Sequence, residues 1–141
     1  MTIEENKALV QQFVEEFWNH GNLAWADEQL AAKAKIYVNG REVEDIATFK
    51  AFAHSHRDAF PDWYSTWEEL VAEGDKVVER WTARGTHRGE FQGLPATGRQ
   101  VVVPGTVFYR ITDGKIVEFR GQFDRMAMME QLGILLAPAA T

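Results

Sequence analysis

The chain has 141 residues, of which 45% are hydrophobic and 12% aromatic, and its formal net charge is -6. This length is typical of one globular domain, and the negative charge argues against nucleic acid or an anionic membrane as the main partner. There is no Cys, which excludes disulfides, a thiolate nucleophile and a Cys-bound metal. With no signal peptide and no apolar run of about 20 residues, we expect a single cytoplasmic domain over residues 1–141.

The N-terminal segment predicts two helices. Thr2 and Glu5 have the spacing of a capping box, in which each satisfies a free amide of the other's backbone. Apolar residues then recur at helical intervals, which predicts a long helix over residues 3–18. Asn22 is a suitable N-cap for a shorter helix over residues 23–31.

The next segment alternates between strand and helix signals. A short strand is predicted over residues 34–39, and a turn leads to a second short strand over residues 41–43. Asp45 is predicted to cap a third helix. This helix must end before Pro61, because proline disfavours helical geometry in the residue before it.

The second half of the chain has the two-residue period of strands. We predict strands over residues 63–72 and 76–87, a loop rich in glycine over residues 88–98, and a β-hairpin over residues 100–124. A final short helix over residues 125–132 follows, and the tail beyond it is expected to pack only in part.

The hairpin has the strongest local signal in the sequence. Asp113 and Gly114 lie between two runs rich in β-branched and aromatic residues, as a type I′ turn requires. Both faces of its first strand are largely apolar, so we expect the hairpin to be covered on both sides.

The order of these elements is helices first and long strands afterwards. This order predicts an α+β fold, in which a curved antiparallel sheet wraps around the N-terminal helices and encloses a pocket. The first helix is expected to lie across the sheet with Phe13 and Phe17 inside.

Three segments together resemble the SnoaL-like polyketide cyclases of the nuclear-transport-factor-2-like superfamily. They are ENKALVQQFVEEFWNHGN, VAEGDKVVERWTARGTHRGEFQGLPATGRQV and FYRITDGKIVEFRGQFDRMAMMEQLG, and the likeness extends over residues 5–133. The resemblance implies a cone-shaped α+β barrel with a deep pocket, often dimeric through the outer sheet face. It also implies acid–base chemistry without a metal or an organic cofactor.

The chain departs from this family at its usual catalytic positions. Cyclases of the family commonly carry an Asp at the position of Gly121, shortly after the aromatic residue at Phe119, and some carry a His at the position of Val107. Asp124 is then the nearest remaining carboxylate. It can act either as the acid/base or as the N-cap of the last helix.

A second resemblance is to the limonene epoxide hydrolases. Tyr37, Asn39 and Arg80 match residues of that family, whereas Thr82 stands where it has an Asp. If these matches hold, the side chains of Tyr37, Asn39 and Arg80 point to a common place in the pocket.

Structural roles are open for two of these residues. Arg80 can form an ion pair across strands with a glutamate such as Glu68 or Glu118. Asn39 precedes a glycine and is equally suitable as a turn residue.

The candidate site residues form two sets. The predicted catalytic residues are Asp124, Arg80, Tyr37 and Asn39. The predicted substrate-binding residues are Trp18, Phe17, Trp63, Thr82, Val107, Phe119 and Gly121. No metal site is predicted, because His54 and His56 are two residues apart on a helix and do not share a face.

The leading functional hypothesis is acid/base proton transfer, with cyclisation or isomerisation of a small apolar carbonyl or polyketide-like compound, and the expected partner is a small apolar or aromatic ligand. A hydrolase similar to the limonene epoxide hydrolases and a non-catalytic binding domain are the alternatives. A homodimer is expected through the outer sheet face, with Val77, Trp81, Val102 and Phe108 as candidates.

Overall fold

The computed structural model describes residues 2–134, which form one curved six-stranded sheet with helices packed on its inner face. The strand order is β2-β1-β6-β5-β4-β3. In chain order the elements are α1 (Ile3–Phe13), a π-helical segment (Val14–Asn19), α2 (Trp25–Gln29), β1 (Leu30–Val38), β2 (Arg41–Val43), α3 (Ile46–Ala59), β3 (Tyr64–Glu73), β4 (Lys76–Thr86), β5 (Gln100–Thr112), β6 (Lys115–Phe123) and α4 (Arg125–Gln131). The α+β fold is confirmed; the predicted packing of the tail falls, for residues 135–141, outside the described residues.

The local sequence signals produce the structures that they predict. The Thr2 hydroxyl accepts a hydrogen bond from the Glu5 amide at 3.1 Å, and the Glu5 carboxylate accepts one from the Thr2 amide at 2.9 Å. Asp45 caps α3 by accepting from a backbone amide at 2.8 Å. Asp113 and Gly114 have φ values of 51° and 75°, as the type I′ turn between β5 and β6 requires.

The π-helical segment joins helix α1 to the pocket. Phe13 and Phe17 are buried on the inner face and stack with ring centroids 5.0 Å apart, so the inside position of both is confirmed. At the end of the segment, the Asn19 side chain donates to the carbonyl of Ser65 at 2.9 Å and accepts from its amide at 2.7 Å. These two bonds tie the segment, with Trp18 in it, to the start of strand β3.

The prediction for the second helix was wrong at both ends. Its N-cap is Ala24, which makes no side-chain bond, so Asn22 is not the cap. Strand β1 begins at Leu30 rather than at residue 34, because Leu30 is buried and pairs with Ile116 of β6. Tertiary pairing here outweighs the helical propensity of the alanine-rich sequence.

The sheet is not wholly antiparallel as predicted. Strand β1 runs parallel to β6, with Ile36 opposite Phe119, while the other neighbouring strands are antiparallel. Strand polarity depends on how the chain crosses the sheet, which the alternation of apolar residues does not record.

Within residues 2–134 the chain itself covers only one face of the central hairpin, so cover of the other face stays a prediction that requires a second chain. Val101 and Val103 are buried on the inner face, whereas Val102 and Phe108 are 41% and 55% exposed on the outer face. The reason is that the helices all pack on the inner face, as the burial of the alternating residues shows.

Candidate active site

A partly open pocket lies on the inner face of the sheet, and residues of both hydrophobic clusters of the core line it. Its volume is about 70 Å³, which is small beside the roughly 300–1,000 Å³ of sites for drug-sized ligands. The lining residues are Trp18, Val38, Phe52, His56, Trp63, Ser65, Glu79, Trp81, Val107, Phe119, Gly121, Gln122 and Phe123. The walls are mainly aromatic and aliphatic.

Most of the predicted substrate-binding residues line this pocket. They are Trp18, Trp63, Val107, Phe119 and Gly121. Two others do not. Phe17 lies within the core, stacked on Phe49 with centroids 5.2 Å apart, and Thr82 alternates with the buried residues of β4 and so lies on the outer face.

Arg80 does not point into the pocket, and this prediction was wrong. Its side chain is 57% exposed on the outer face and forms an ion pair with Glu69 at 3.3 Å. The inner face of β4 carries Val77, Glu79 and Ala83, all buried. The structural role considered for Arg80, an ion pair across strands, is therefore correct in kind, although its partner is neither Glu68 nor Glu118.

Tyr37 and Asn39 do not meet Arg80 in the pocket either. Tyr37 lies under the guanidinium of the exposed Arg120, which is 4.0 Å from the ring centroid. Asn39 has a φ of 50° in the turn after β1, and its side-chain oxygen accepts from the Phe123 amide at 2.9 Å. The convergence of these three side chains, on which the epoxide hydrolase hypothesis depends, is thus absent among residues 2–134.

Asp124 is the N-cap of α4. Its carboxylate accepts a hydrogen bond from the Ala127 amide at 2.9 Å, and the side chain is exposed outside the pocket lining. The pocket position predicted for Asp124 was wrong, because capping α4 directs this carboxylate along the helix end.

The carboxylate that does enter the pocket is Glu79, which the sequence reasoning missed. It is 1% exposed, and the Tyr109 hydroxyl donates to its Oε1 at 2.8 Å. Its Oε2 has no hydrogen-bond partner within the described part of the chain. Burial raises the pKa of Glu79 to about 7, and the bond from Tyr109 offsets only part of this rise.

Glu79 lies in one row of residues that crosses the sheet. The strand registers place Glu79 opposite Val107, Val107 opposite Gly121, and Gly121 opposite Val38. A Cβ at position 121 would be 2.9 Å from the Phe119 ring, so this ring fills the place of a side chain there. The carboxylate of this pocket therefore stands two strands, or about 10 Å, from the position that the family resemblance implied.

His56 is the second ionisable group of the pocket lining. It is buried on α3, with its ring edge-on to Trp63 at a centroid distance of 4.1 Å. Neither ring nitrogen has a hydrogen-bond partner among residues 2–134. Burial lowers the pKa of His56 to about 4, so the imidazole is neutral at physiological pH.

The sequence did contain signals for both missed residues. Val77, Glu79, Trp81 and Ala83 form the apolar face of β4, whereas the other face carries two arginines and a threonine. A single carboxylate on an otherwise apolar face points to a buried ionisable group. His56 similarly lies on the apolar face of α3.

Two further properties of the described residues limit the site. Within residues 2–134, no group of three or more His, Asp or Glu side chains is arranged to hold a metal ion. In the same range, the helices are too short or too polar to cross a lipid bilayer.

Comparisons with known proteins agree on the family. The family model of the SnoaL-like polyketide cyclases matches residues 8–132. No curated protein matches the sequence. Among solved structures with the same curved α+β fold, AclR from Streptomyces galilaeus, provisionally assigned as a hydroxylase, is 29% identical with a TM-score of 0.88, over 96% of this chain and 89% of AclR.

Two other structures carry the family name itself or a shorter form of it. A provisionally assigned SnoaL-like polyketide cyclase from Jannaschia sp. CCS1 is 26% identical with a TM-score of 0.87, over 96% of this chain and 97% of that one. A provisionally assigned polyketide cyclase from Acidithiobacillus ferrooxidans is 31% identical with a TM-score of 0.79, over 94% and 98%. The chain belongs to the SnoaL-like polyketide cyclase family.

Proposed function

We propose that this protein isomerises or cyclises a small apolar carbonyl compound by proton transfer, with Glu79 as the base. The observation that carries the proposal is a buried carboxylate in an apolar pocket, with one oxygen oriented by Tyr109 and the other without a partner among the described residues. Its pKa of about 7 suits a base that works near neutral pH.

The proposed reaction moves one proton. The Glu79 carboxylate takes a proton from the carbon next to a carbonyl group, and the electron pair of the broken C–H bond passes to the carbonyl oxygen to form an enolate. The protonated Glu79 then returns the proton at another carbon, which completes an isomerisation. In a cyclisation the enolate carbon instead attacks a second carbonyl carbon, and the new alkoxide takes up the proton.

The charges around the pocket favour a neutral substrate. The lining residues within the described part of the chain include no Lys or Arg, so an anionic ligand would lose its hydration without gaining a counter-charge. A compact, uncharged ketone matches these apolar walls.

The proposal can be tested with β,γ-cyclohexenone, a single-ring ketone whose conversion to α,β-cyclohexenone is followed by ultraviolet absorbance. Glu79→Gln keeps the shape and a partner for Tyr109 but removes the base, so turnover should fall by about 100-fold or more. The matched control is Glu69→Gln, which alters an exposed glutamate of β3 and should leave turnover unchanged. In the wild type kcat/KM should rise with pH and reach half of its maximum near pH 7. Equal turnover in the wild type and in Glu79→Gln would contradict the proposal.

A non-catalytic binding domain is the second candidate function. It is favoured by Val107 and Gly121, which leave the usual cyclase positions of the family without a polar group. A wild-type protein that binds the ketone but does not convert it at any pH would establish this function instead.

We further propose that the protein is a homodimer through the outer sheet face. Of the four candidate residues, Val77 and Trp81 face inward and were wrong choices, whereas Val102 and Phe108 are exposed on that face. Tyr64 and Val71 add to the same apolar surface. A cytoplasmic location stays a prediction.

A further inference from the structure

His56 is a buried polar side chain, and neither of its ring nitrogens has a hydrogen-bond partner among residues 2–134. Its ring contacts Phe60, Trp63 and Phe91 at centroid distances of 5.2, 4.1 and 5.9 Å. Burying an imidazole without a partner costs stability. In the described part of the chain its nitrogens meet no acceptor or donor, and the ring borders the pocket. A group inside the pocket is thus the natural partner.

His56 and Glu79 reach the pocket from different layers of the fold. His56 belongs to α3, which packs chiefly against β1, β2 and α2, whereas Glu79 belongs to the interior strand β4. A ligand in the pocket therefore has the carboxylate on its sheet side and the imidazole on its helix side.

The neutral imidazole can only donate through one nitrogen and accept through the other. Tyr109 is already committed to Glu79, so the enolate oxygen of the proposed reaction needs a donor from elsewhere. A neutral imidazole N–H is suited to this task, since it stabilises developing negative charge without first binding an anion.

We propose that His56 donates a hydrogen bond to the carbonyl oxygen of the substrate and stabilises the enolate that forms when Glu79 removes the proton. This inference rests on the proposed function, because the enolate exists only if Glu79 acts as the base. No proton leaves His56: the C–H electron pair moves to the oxygen, Glu79 receives the proton, and the His56 hydrogen bond strengthens as charge builds up. The substrate is accordingly a ketone whose oxygen faces α3 and whose acidic carbon faces β4.

Binding of phenol and toluene tests the hydrogen bond without any reaction. Phenol has the planar ring and the oxygen of the dienolate of cyclohexenone, and toluene has the same shape without the oxygen. Titrations followed by NMR should show that the wild type prefers phenol, and that His56→Phe reduces this preference about tenfold while toluene affinity is kept. His56→Gln, which retains an N–H donor, should recover part of the preference.

The control is His54→Phe, which changes an exposed histidine of the same helix and should leave the preference intact. If His56 serves only to shape the cavity, His56→Phe will change phenol and toluene affinities equally, and the proposal fails. It also fails if the wild type binds neither probe or binds both equally.

Turnover of β,γ-cyclohexenone gives the second readout. His56→Phe should lower kcat by about 100-fold with a smaller change in KM, because the bond strengthens in the transition state. The half-way pH of kcat/KM should stay near that of the wild type, since Glu79 still sets it. Two outcomes separate this inference from the proposed function. If Glu79→Gln keeps full turnover but the preference for phenol over toluene still depends on His56, the proposed function fails and the donor role of His56 in binding survives. If Glu79→Gln loses turnover but the preference for phenol does not depend on His56, the donor role fails and the proposed function survives.

Discussion

Glu79 and His56 are buried side chains whose pKa values are displaced in opposite directions. The pKa of Glu79 rises from 4.5 to about 7, so its contribution to stability is fully present below pH 4.5 and is lost as the pH rises through 7. The pKa of His56 falls from 6.5 to about 4, so its contribution is present above pH 6.5 and is lost as the pH falls through 4. Between about pH 4.5 and 6.5 the two effects oppose each other.

We therefore expect that the effects of these two residues largely cancel in the wild type, so that together they change its free energy of unfolding little between pH 4.5 and 6.5. In Glu79→Gln the His56 effect remains alone, and stability should rise by about 3 kcal/mol from pH 4 to 6.5. In His56→Phe the Glu79 effect remains, and stability should fall by about 3 kcal/mol from pH 4.5 to 7. Urea denaturation at half-unit pH steps measures the free energy of unfolding of all three proteins as a function of pH. Parallel curves would show that the pKa of neither group is shifted as described.

The residues differ in how far the sequence predicts them. The capping roles of Thr2 and Asp45 depend on neighbours three residues away, so local spacing was enough. For Asp124 the same spacing indicated the cap, but the choice between cap and acid/base depended on tertiary direction. Glu79 was missed because the resemblance to the limonene epoxide hydrolases placed Arg80 inside. That choice exchanged the inner and outer faces of β4, although the apolar residues beside Glu79 already favoured the correct face.

At the scale of elements, the two hydrogen bonds of the Asn19 side chain connect the π-helical segment to β3. Asn19→Ala should lower the free energy of unfolding by about 2–3 kcal/mol, because the buried amide and carbonyl of Ser65 both lose their partner. Asn22→Ala is the matched control and should change it by less than about 0.5 kcal/mol, since that side chain is exposed. If urea denaturation shows the same loss of unfolding free energy in both variants, the hydrogen bonds between Asn19 and Ser65 contribute nothing specific to stability.

Elements also differ in how well the sequence predicts them. The β5–β6 hairpin follows from its turn and its two apolar runs, which lie close together in the chain. The start of β1 does not, because only pairing with a distant strand turns the segment after Gln29 from helix into strand. The same distant pairing fixes the polarity that the sequence analysis had wrong.

At the scale of the whole molecule, the proposed dimer depends on the exposed apolar residues of the outer sheet face. Phe108→Glu should weaken dimerisation by about 100-fold or more, because a two-fold interface carries the new charge twice. Met126→Glu is the control, since Met126 is at least as exposed as Phe108 but lies on α4. Sedimentation velocity at micromolar concentration measures both, and a wild type that sediments only as a monomer would exclude the dimer.

The parallel pairing of β1 with β6 has a consequence for how the chain is made. On the ribosome β1 emerges first of the six strands, and β6, with which it must pair, emerges last of them. Until then β1 has only the three-residue strand β2 to pair with, and an isolated hairpin of that size is marginal in water. The aromatic face of α1 cannot complete its packing before then either, because Phe13 packs against Phe119 of β6. Folding of α1 and β1 is thus postponed until β6 has emerged, and contacts between residues so far apart in the chain form slowly. During this interval the nascent chain exposes Phe13 and Phe17, which makes it a natural client for chaperones.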